Sequence, residues 1–274
     1  MSGFIITAIA AAGLGEPPAT RSPADAENWQ RVRVEQVQMG SPFVLICYAG
    51  SERLAKNACR QAGRRVKELT AALSDYHDAS ELNRLCDRYV PGRPESVSPD
   101  LAAVLRKAAE VSEASDGAFD VTVGPLVKRW RRVRREKRLP PPAELEELRR
   151  RIDWRAVRVH PMKNEVTIEK PNVRIDLGGL AKGYAADAAA AVLREQGVTR
   201  FLIDAGGDLV AGDPPPGRDG WRIGLPDPTD PDAPPTRFLL LSNAAVATSG
   251  DAYHFTEIDG IRYSHIVDPR TGLG

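Results

Sequence analysis

The spacing of apolar and polar residues changes along the chain, and each spacing predicts a different element. Residues 31–37 alternate between apolar and polar side chains, as a half-buried strand does. Met39-Gly40-Ser41 interrupts this pattern before a second apolar run over 42–48, which we expect to pair with the first. Over residues 52–73 the apolar positions recur at helical spacing, which predicts a long helix.

Two serines mark the starts of two further helices. Ser80 and Ser98 each precede a helical pattern, and a serine hydroxyl can accept hydrogen bonds from the free N–H groups of a first helical turn. We therefore expect a short helix from near Glu81 and a longer one over 99–115.

Short strands surround one strong helix in the second half of the chain. The helix is predicted over 184–196 and ends at Gly197. Asp259-Gly260 between two short runs is a strong hairpin signal. Other predicted strands occupy residues 156–160, 165–169, 173–176, 201–204, 221–225, 237–242 and 244–248. This mixture favours an α+β fold over a doubly wound sheet.

Composition excludes some classes of function. The chain has 274 residues and a formal net charge of +1, which argues against nucleic-acid binding as its main task. Its three cysteines include no CxxC pair, so neither a disulfide framework nor a zinc site is indicated. The basic run over 128–138 allows two interpretations. It contacts an acidic partner or anionic lipid, or it is a solvated helix face balanced by acidic residues at 144–147.

Residues 1–28 form a possible export signal and linker ahead of one domain over 29–274. An apolar run over 4–14 and the small residues Ala24-Asp25-Ala26 fit a secretory signal, although no Lys or Arg precedes the run. The run is too short to span a bilayer. We expect an exported, periplasmic or membrane-associated protein. The alternatives are a disordered tail, as on a cytoplasmic protein, or a start site placed inside a longer leader.

The glycine-rich stretch over 176–183 follows a predicted strand and opens a helix. Glycines allow a ligand to approach the backbone closely, and a helix N-terminus with Lys182 beside it attracts phosphate. Asp176 could accept a hydrogen bond from a ribose, a flavin ring or a metal-bound water. The alternative is a tight turn with an exposed lysine.

Two further motifs carry candidate chemistry. Residues 204–208 place paired glycines between two aspartates after a strand, which indicates close backbone approach or a sheet bulge. Alternation past the hairpin would put Tyr263, His265 and Val267 on one strand face. His265 is there a candidate for proton transfer, or a structural histidine.

Taken together, these motifs resemble the FAD:protein FMN transferases, the ApbE family, over residues 39–274. The blocks that carry the resemblance are 39–41, 74–76, 80–83, 116–126, 176–187, 206–208, 221–226, 248–250 and 264–272. The resemblance implies an α+β, T-fold-related architecture of mixed and antiparallel sheets with packed helices.

The resemblance also implies a reaction. Such enzymes cleave the pyrophosphate of FAD, pass FMN to a threonine hydroxyl of a target flavoprotein and release AMP, with magnesium as cofactor. The implied acceptor is a subunit of a membrane electron-transfer complex, such as an ion-pumping quinone reductase. His265 matches the family's base, and Gly179 a metal-site position with a backbone carbonyl ligand. Positions matching contacts to FAD or its phosphates are Met39, Tyr76, Ala118, Phe119, Asp120, Asp176, Lys182 and Val267.

One departure affects the expected activity. The family pattern continues with a strand and a helix whose Asp and Thr complete the magnesium site, whereas this sequence ends at Gly274. We therefore expect a fragment of a longer enzyme or a product with an impaired metal site. The alternatives to transfer are FAD binding alone and hydrolysis of FAD to FMN and AMP.

Overall fold

The computed structural model describes residues 5–7, 28–227, 230, 233–251 and 254–274, which form two compact units. The first unit combines Met1–Glu68 with Lys182–Ser249, and the second combines Leu69–Ala181 with Gly250–Gly274. The predicted export segment lies outside the described residues, apart from Ile5–Thr7 and Asn28. No helix within the described ranges is long and apolar enough to cross a membrane.

The elements are numbered in chain order. The helices are α1 (Glu52–Leu73), α2 (Glu81–Arg88), α3 (Pro99–Ala114), α4 (Gly124–Glu136), α5 (Pro142–Arg149) and α6 (Ala181–Glu195). The strands are β1 (Ile5–Thr7), β2 (Gln30–Gln38), β3 (Ser41–Ala49), β4 (Pro94–Ser96), β5 (Val157–Val159), β6 (Glu165–Ile168), β7 (Arg200–Ala205), β8 (Leu209–Ala211), β9 (Trp221–Leu225), β10 (Arg237–Leu241), β11 (Ala244–Ser249), β12 (Phe255–Ile258) and β13 (Ile261–Ser264).

An antiparallel sheet in the order β1-β11-β8-β7-β3-β2 forms the centre of the first unit. Strand β3 buries every second side chain, including Phe43 and Leu45, because it lies inside the sheet with one face on the core. Helix α1 packs on that face, where Cys59 Sγ lies 3.3 Å from Cys47 Sγ. The periodic pattern predicted this helix and the β2–β3 pair correctly.

The second unit contains α2 to α5, the small sheet β4-β6-β5 and the hairpin β12–β13. Both predicted serine caps are present. Ser80 Oγ accepts a hydrogen bond from Asn83 N–H at 3.1 Å, and Ser98 Oγ accepts one from Leu101 N–H at 3.2 Å. The hairpin predicted at Asp259-Gly260 is also confirmed, with both turn residues at positive φ.

One predicted strand is wrong, and another ends earlier than predicted. Residues 173–176 are extended, but they make only an isolated parallel bridge between Arg174 and Val123 and a 2.7 Å hydrogen bond from Asp176 N–H to Val121 C=O. Within the described part of the chain this segment therefore belongs to no sheet. Strand β13 stops at Ser264, so the alternation predicted through 268 does not continue past that residue.

Candidate functional site

Two carboxylates and one guanidinium form a compact cluster in the second unit. Arg131 of α4 donates a short hydrogen bond to Asp75 and lies 3.6 Å from an oxygen of Asp176. The side chains of Asp75 and Asp176 are each only 12% exposed. The same guanidinium lies 3.9 Å from the centre of the Tyr76 ring, which is 69% exposed. Tyr76 therefore offers aromatic surface beside buried charge.

Asp176 holds its proton more tightly than an ordinary aspartate. Burial, followed by the negative charge of Asp75, raises the pKa of the Asp176 carboxyl to about 6. The Gly178 N–H, which donates to Asp176 Oδ1 at 2.8 Å, and the charge of Arg131 act in the opposite direction. When protonated, below a pH of about 6, Asp176 can donate its O–H to Asp75.

The glycine turn that follows Asp176 leads directly into α6. Leu177 C=O accepts hydrogen bonds from Leu180 and Ala181 N–H at 2.9 and 2.8 Å, which starts the helix earlier than predicted. Gly179 faces the Phe119 ring, because a Cβ built on Gly179 would lie 3.0 Å from Phe119 Cε2. A side chain at this position would thus displace a predicted flavin contact.

Asp120 is committed to internal hydrogen bonds. Its buried carboxylate accepts from Thr122 N–H at 2.7 Å, from Thr122 Oγ1–H at 2.6 Å and from Trp154 N–H at 3.0 Å. Burial raises the pKa of this carboxyl, and the three donors counteract that effect. Its neighbour Ala118 is exposed. The carboxylate of Asp120 thus shapes the loop, and contact of either residue with FAD stays a prediction.

In the first unit, two tight turns lie at the same end of the sheet. Met39 and Gly40 join β2 to β3 with φ of 51° and 73°, and Gly206 and Gly207 join β7 to β8 with φ of 68° and 98°. The turns are adjacent because β3 pairs with β7, and a Cβ on Gly206 would lie 2.6 Å from Ser41 Cβ. A methionine in the left-handed region is uncommon, and such conformations cluster at functional sites.

Lys182 belongs to the first unit and is half-buried. Its Nζ lies 3.3 Å from Oδ2 of Asp208, the residue that follows the paired glycines. This ion pair connects the first turn of α6 to the β7–β8 turn. The predicted lysine therefore lies in the same unit as Met39, and its approach to phosphate stays a prediction.

His265 is exposed just after β13. Its Nδ1 lies 3.0 Å from the carbonyl oxygen of His254, and the two imidazole rings meet edge to face at 5.3 Å. Since a carbonyl oxygen can only accept, Nδ1 carries the proton in this contact, and in the neutral ring Nε2 holds the lone pair. This tautomer suits a base that acts through Nε2.

Val267 and Tyr263 are partly buried. Both contact an apolar cluster around Trp130, Val133 and Ile258. The Trp130 indole N–H donates to Gly272 C=O at 2.8 Å and so attaches the segment after Val267 to α4. The shared strand face predicted for Tyr263, His265 and Val267 is therefore wrong, because the chain bends after Ser264. Contact between Val267 and FAD is left as a prediction.

The metal prediction finds limited support in these residues. Nowhere in the described ranges do three or more His, Cys, Asp or Glu side chains form a group suited to a metal ion. Gly179 contributes a backbone carbonyl alone, whereas Mg²⁺ requires near-octahedral oxygen coordination. The residues present do not form a magnesium site by themselves.

Asp75 and Arg131 are site residues that sequence reasoning missed. The sequence marks Asp75 only as part of the 74–76 block, and Arg131 only as part of the basic run over 128–138. The run itself is partly balanced by acid, as one interpretation predicted, because Arg129 pairs with Glu144 at 2.7 Å. Arg131 differs from Arg129 in its partner, Asp75, which lies 56 residues away in sequence and so gives no local signal. A helical projection of α4 would have separated its face from that of Arg129.

Two solved structures that share this fold are an ApbE protein and a flavin transferase. The chain superimposes with a TM-score of 0.79 on the ApbE protein of Thermotoga maritima, at 29% identity, covering 89% of this chain and 78% of that one. For the flavin transferase ApbE of Vibrio cholerae the TM-score is 0.77 at 25% identity, covering 90% and 78%. The predicted α+β, ApbE-like fold is confirmed.

Comparison of sequences identifies the family. Residues 39–274 match the model of the ApbE family, and the chain belongs to that family. It is 31% identical over 221 residues to the FAD:protein FMN transferase of Vibrio cholerae and 30% identical over 212 residues to that of Haemophilus influenzae. The matches cover 80% and 76% of this chain but only 65% and 61% of those relatives.

Proposed function

We propose that this chain transfers the FMN half of FAD to a threonine hydroxyl of a flavoprotein and releases AMP. Membership of the ApbE family and the names of its relatives support this reaction. In the transfer, the threonine oxygen attacks the phosphorus of the FMN half and forms a phosphoester. The bond from that phosphorus to the bridging oxygen breaks, and AMP leaves with the electron pair.

The observation that carries the proposal is the 3.0 Å contact between His265 Nδ1 and the carbonyl oxygen of His254. The hydroxyl of threonine is a weak nucleophile and must lose its proton as the new bond forms. The contact from Nδ1 to His254 C=O orients the imidazole, and the lone pair of the neutral ring is then on Nε2, the atom that we propose accepts that proton. The exposure of His265 gives a protein substrate access to the base.

Tyr76, Phe119 and Gly179 are proposed to hold the flavin. The exposed Tyr76 ring can stack on an isoalloxazine, and the absence of a side chain at Gly179 lets Phe119 lie against the backbone. Asp176 can donate a hydrogen bond when protonated and accept one when ionised, which suits the polar edge of a flavin. Met39 and Lys182 of the first unit are proposed to contact FAD and its phosphates.

The remaining parts of the proposal rest on family resemblance. We propose magnesium dependence, with the Gly179 carbonyl as one ligand, and assign no step to the metal. The proposed acceptor is a membrane electron-transfer flavoprotein, and the proposed location is outside the cytoplasm. The apolar run over 4–14 supports export.

The proposal is tested by incubating the chain with FAD, Mg²⁺ and an acceptor domain that carries a target threonine. Flavin fluorescence on the acceptor after denaturing electrophoresis, with equimolar AMP, is the expected result. AMP without labelling would mean hydrolysis, and bound FAD without AMP would mean binding alone. Either of these results would contradict transfer.

A histidine variant tests the base. His265→Ala should reduce the labelling rate by at least about 100-fold, the typical contribution of a general base, while FAD still binds. His160→Ala, at an exposed turn elsewhere in the second unit, is the matched control and should label normally. An unchanged rate in His265→Ala would disprove the assignment.

A further inference from the structure

A cavity of about 260 Å³ in the second unit is lined mainly by cationic side chains. It lies among α4, α5 and the extended segment before Asp176. The charged residues that line it are Lys128, Arg129, Arg132, Arg151, Arg174 and Glu144. Five cations thus surround one carboxylate, and none of them is among the residues predicted to contact FAD.

Three of these cations already have acidic partners. Arg129 pairs with Glu144 at 2.7 Å and with Glu136 at 2.9 Å. Arg174 Nη1 lies 2.5 Å from Asp87 Oδ1, and Arg151 pairs with Glu147. These pairs fix the guanidinium groups around the cavity and neutralise their charge.

Lys128 and Arg132 differ from the other three. In the part of the chain that the structure describes, neither has an acidic group within ion-pair distance. They are four residues apart on α4, so both lie on the helix face that lines the cavity. Like charges at this spacing repel each other and destabilise a helix. An anion placed between them would relieve the repulsion.

We infer that this cavity binds a small phosphate-bearing anion. A lysine ammonium and an arginine guanidinium together supply the point charge and the planar donors that phosphate oxygens accept. The volume lies just below the range of about 300–1,000 Å³ typical of ligand pockets, so the ligand is small. A free diphosphate or the phosphate headgroup of a lipid would supply this chemistry.

The cavity is separate from the cluster of Asp75, Arg131 and Asp176 beside the proposed flavin contact Tyr76, which we call the flavin cluster. Arg131, on the neighbouring face of α4, directs its guanidinium to Asp75 and Asp176, while Lys128 and Arg132 line the cavity. One helix therefore contributes to both, and loss of the cavity charge need not disturb the flavin cluster. Its test does not depend on transfer activity.

The test is titration calorimetry of the full chain with pyrophosphate at a constant ionic strength of about 0.15 M. Lys128→Gln/Arg132→Gln should raise the dissociation constant at least tenfold. The control Arg134→Gln/Arg138→Gln removes the same charge from exposed positions that do not line the cavity, and its dissociation constant should stay within twofold. Circular dichroism establishes that both variants are folded.

A second arm distinguishes the two sources of phosphate. Co-sedimentation with vesicles containing phosphatidic acid measures headgroup binding by the same pair of variants. The site is supported if either probe binds the parent and the control but not Lys128→Gln/Arg132→Gln. The probe that shows this pattern identifies the source of the phosphate. Binding of neither probe, or equal losses in both variants, would overturn the inference.

Discussion

The guanidinium of Arg131 stacks on the ring of Tyr76, 3.9 Å from its centre, while it contacts the carboxylates of Asp75 and Asp176. One side chain therefore supports an exposed aromatic surface and partly neutralises two buried acids. Burial lowers the pKa of Arg131, but the hydrogen bond and the charge of Asp75 outweigh it and leave that pKa raised. Arg131 thus stays charged throughout the accessible pH range.

Replacing Arg131 should destabilise the second unit in a pH-dependent manner. Arg131→Met keeps an apolar stem over Tyr76 but leaves two carboxylates without a cation. The free energy of unfolding should fall by about 1–3 kcal/mol near pH 8, because the partner charges stay partly buried. Near pH 5 the loss should be smaller, since Asp176 with a pKa of about 6 is then protonated. Urea denaturation at both pH values measures the difference, and an equal loss at both would contradict the arrangement.

Asp176 should make the fold less stable as the pH rises. Its pKa of about 6 in the folded chain exceeds the ordinary value of 3.8, so the folded state binds the proton more tightly. The resulting stability is complete below about pH 4 and is lost as the pH rises through about 6. Asp176→Asn stays neutral and should lack this decrease, which amounts to at most about 3 kcal/mol.

The measurement is the free energy of unfolding of Asp176→Asn between about pH 4 and pH 8. Asp78→Asn at an exposed position is the control and should follow the parent curve. Some pH dependence will persist in both variants, because burial also raises the pKa of Asp120 and Asp187. If Asp176→Asn reproduced the parent curve, the proposed proton affinity of Asp176 would be wrong.

Sequence predicted the elements whose signals are local. The apolar period of α1 and the serine caps of α2 and α3 follow from neighbouring residues alone, and each is confirmed. The prediction of a strand over 173–176 is wrong, because alternating apolar residues indicate an extended chain but do not show whether another strand pairs with it. Here the Arg174 backbone closely approaches Gly124, where a Cβ would lie 2.6 Å from Arg174 C=O.

The sequence predicts only those parts of the candidate site that belong to a recognisable motif. The glycine turn and His265 came from recognisable blocks, whereas the Asp75–Arg131–Asp176 cluster depends on residues brought together by folding. The positive φ of Met39 also had no sequence signal, because Asn or Gly is the usual residue at that turn position. Both features require tertiary structure to be seen.

Gly179 should tolerate no side chain without loss of flavin affinity. In Gly179→Ala the new Cβ would lie 3.0 Å from Phe119 Cε2, so the ring must move. We expect FAD affinity to fall at least tenfold, equivalent to about 1.4 kcal/mol, with little change in stability. Flavin fluorescence titration measures the affinity.

Two further variants make this prediction specific. Gly183→Ala, where a Cβ meets nothing within 4 Å, should keep its affinity and gain up to about 1 kcal/mol of helix stability. Phe119→Leu shortens the side chain, so adding Gly179→Ala to it should cost less affinity than the same change in the parent. An equal cost in both backgrounds would show that the Phe119 ring is not the cause.

We expect Met39 to lower the stability of the fold while it contributes to FAD binding. Its φ of 51° in the β2–β3 turn is unfavourable for methionine and well tolerated by asparagine. Met39→Asn should therefore raise the free energy of unfolding by about 0.5–1 kcal/mol. It should also weaken FAD binding several-fold, because the predicted contact of the thioether is lost. Met162→Asn, at a side chain that is 88% exposed, is the control and should change neither quantity. Greater stability with unchanged FAD affinity would show that Met39 has no role in binding, and unchanged stability would show that the turn is not strained.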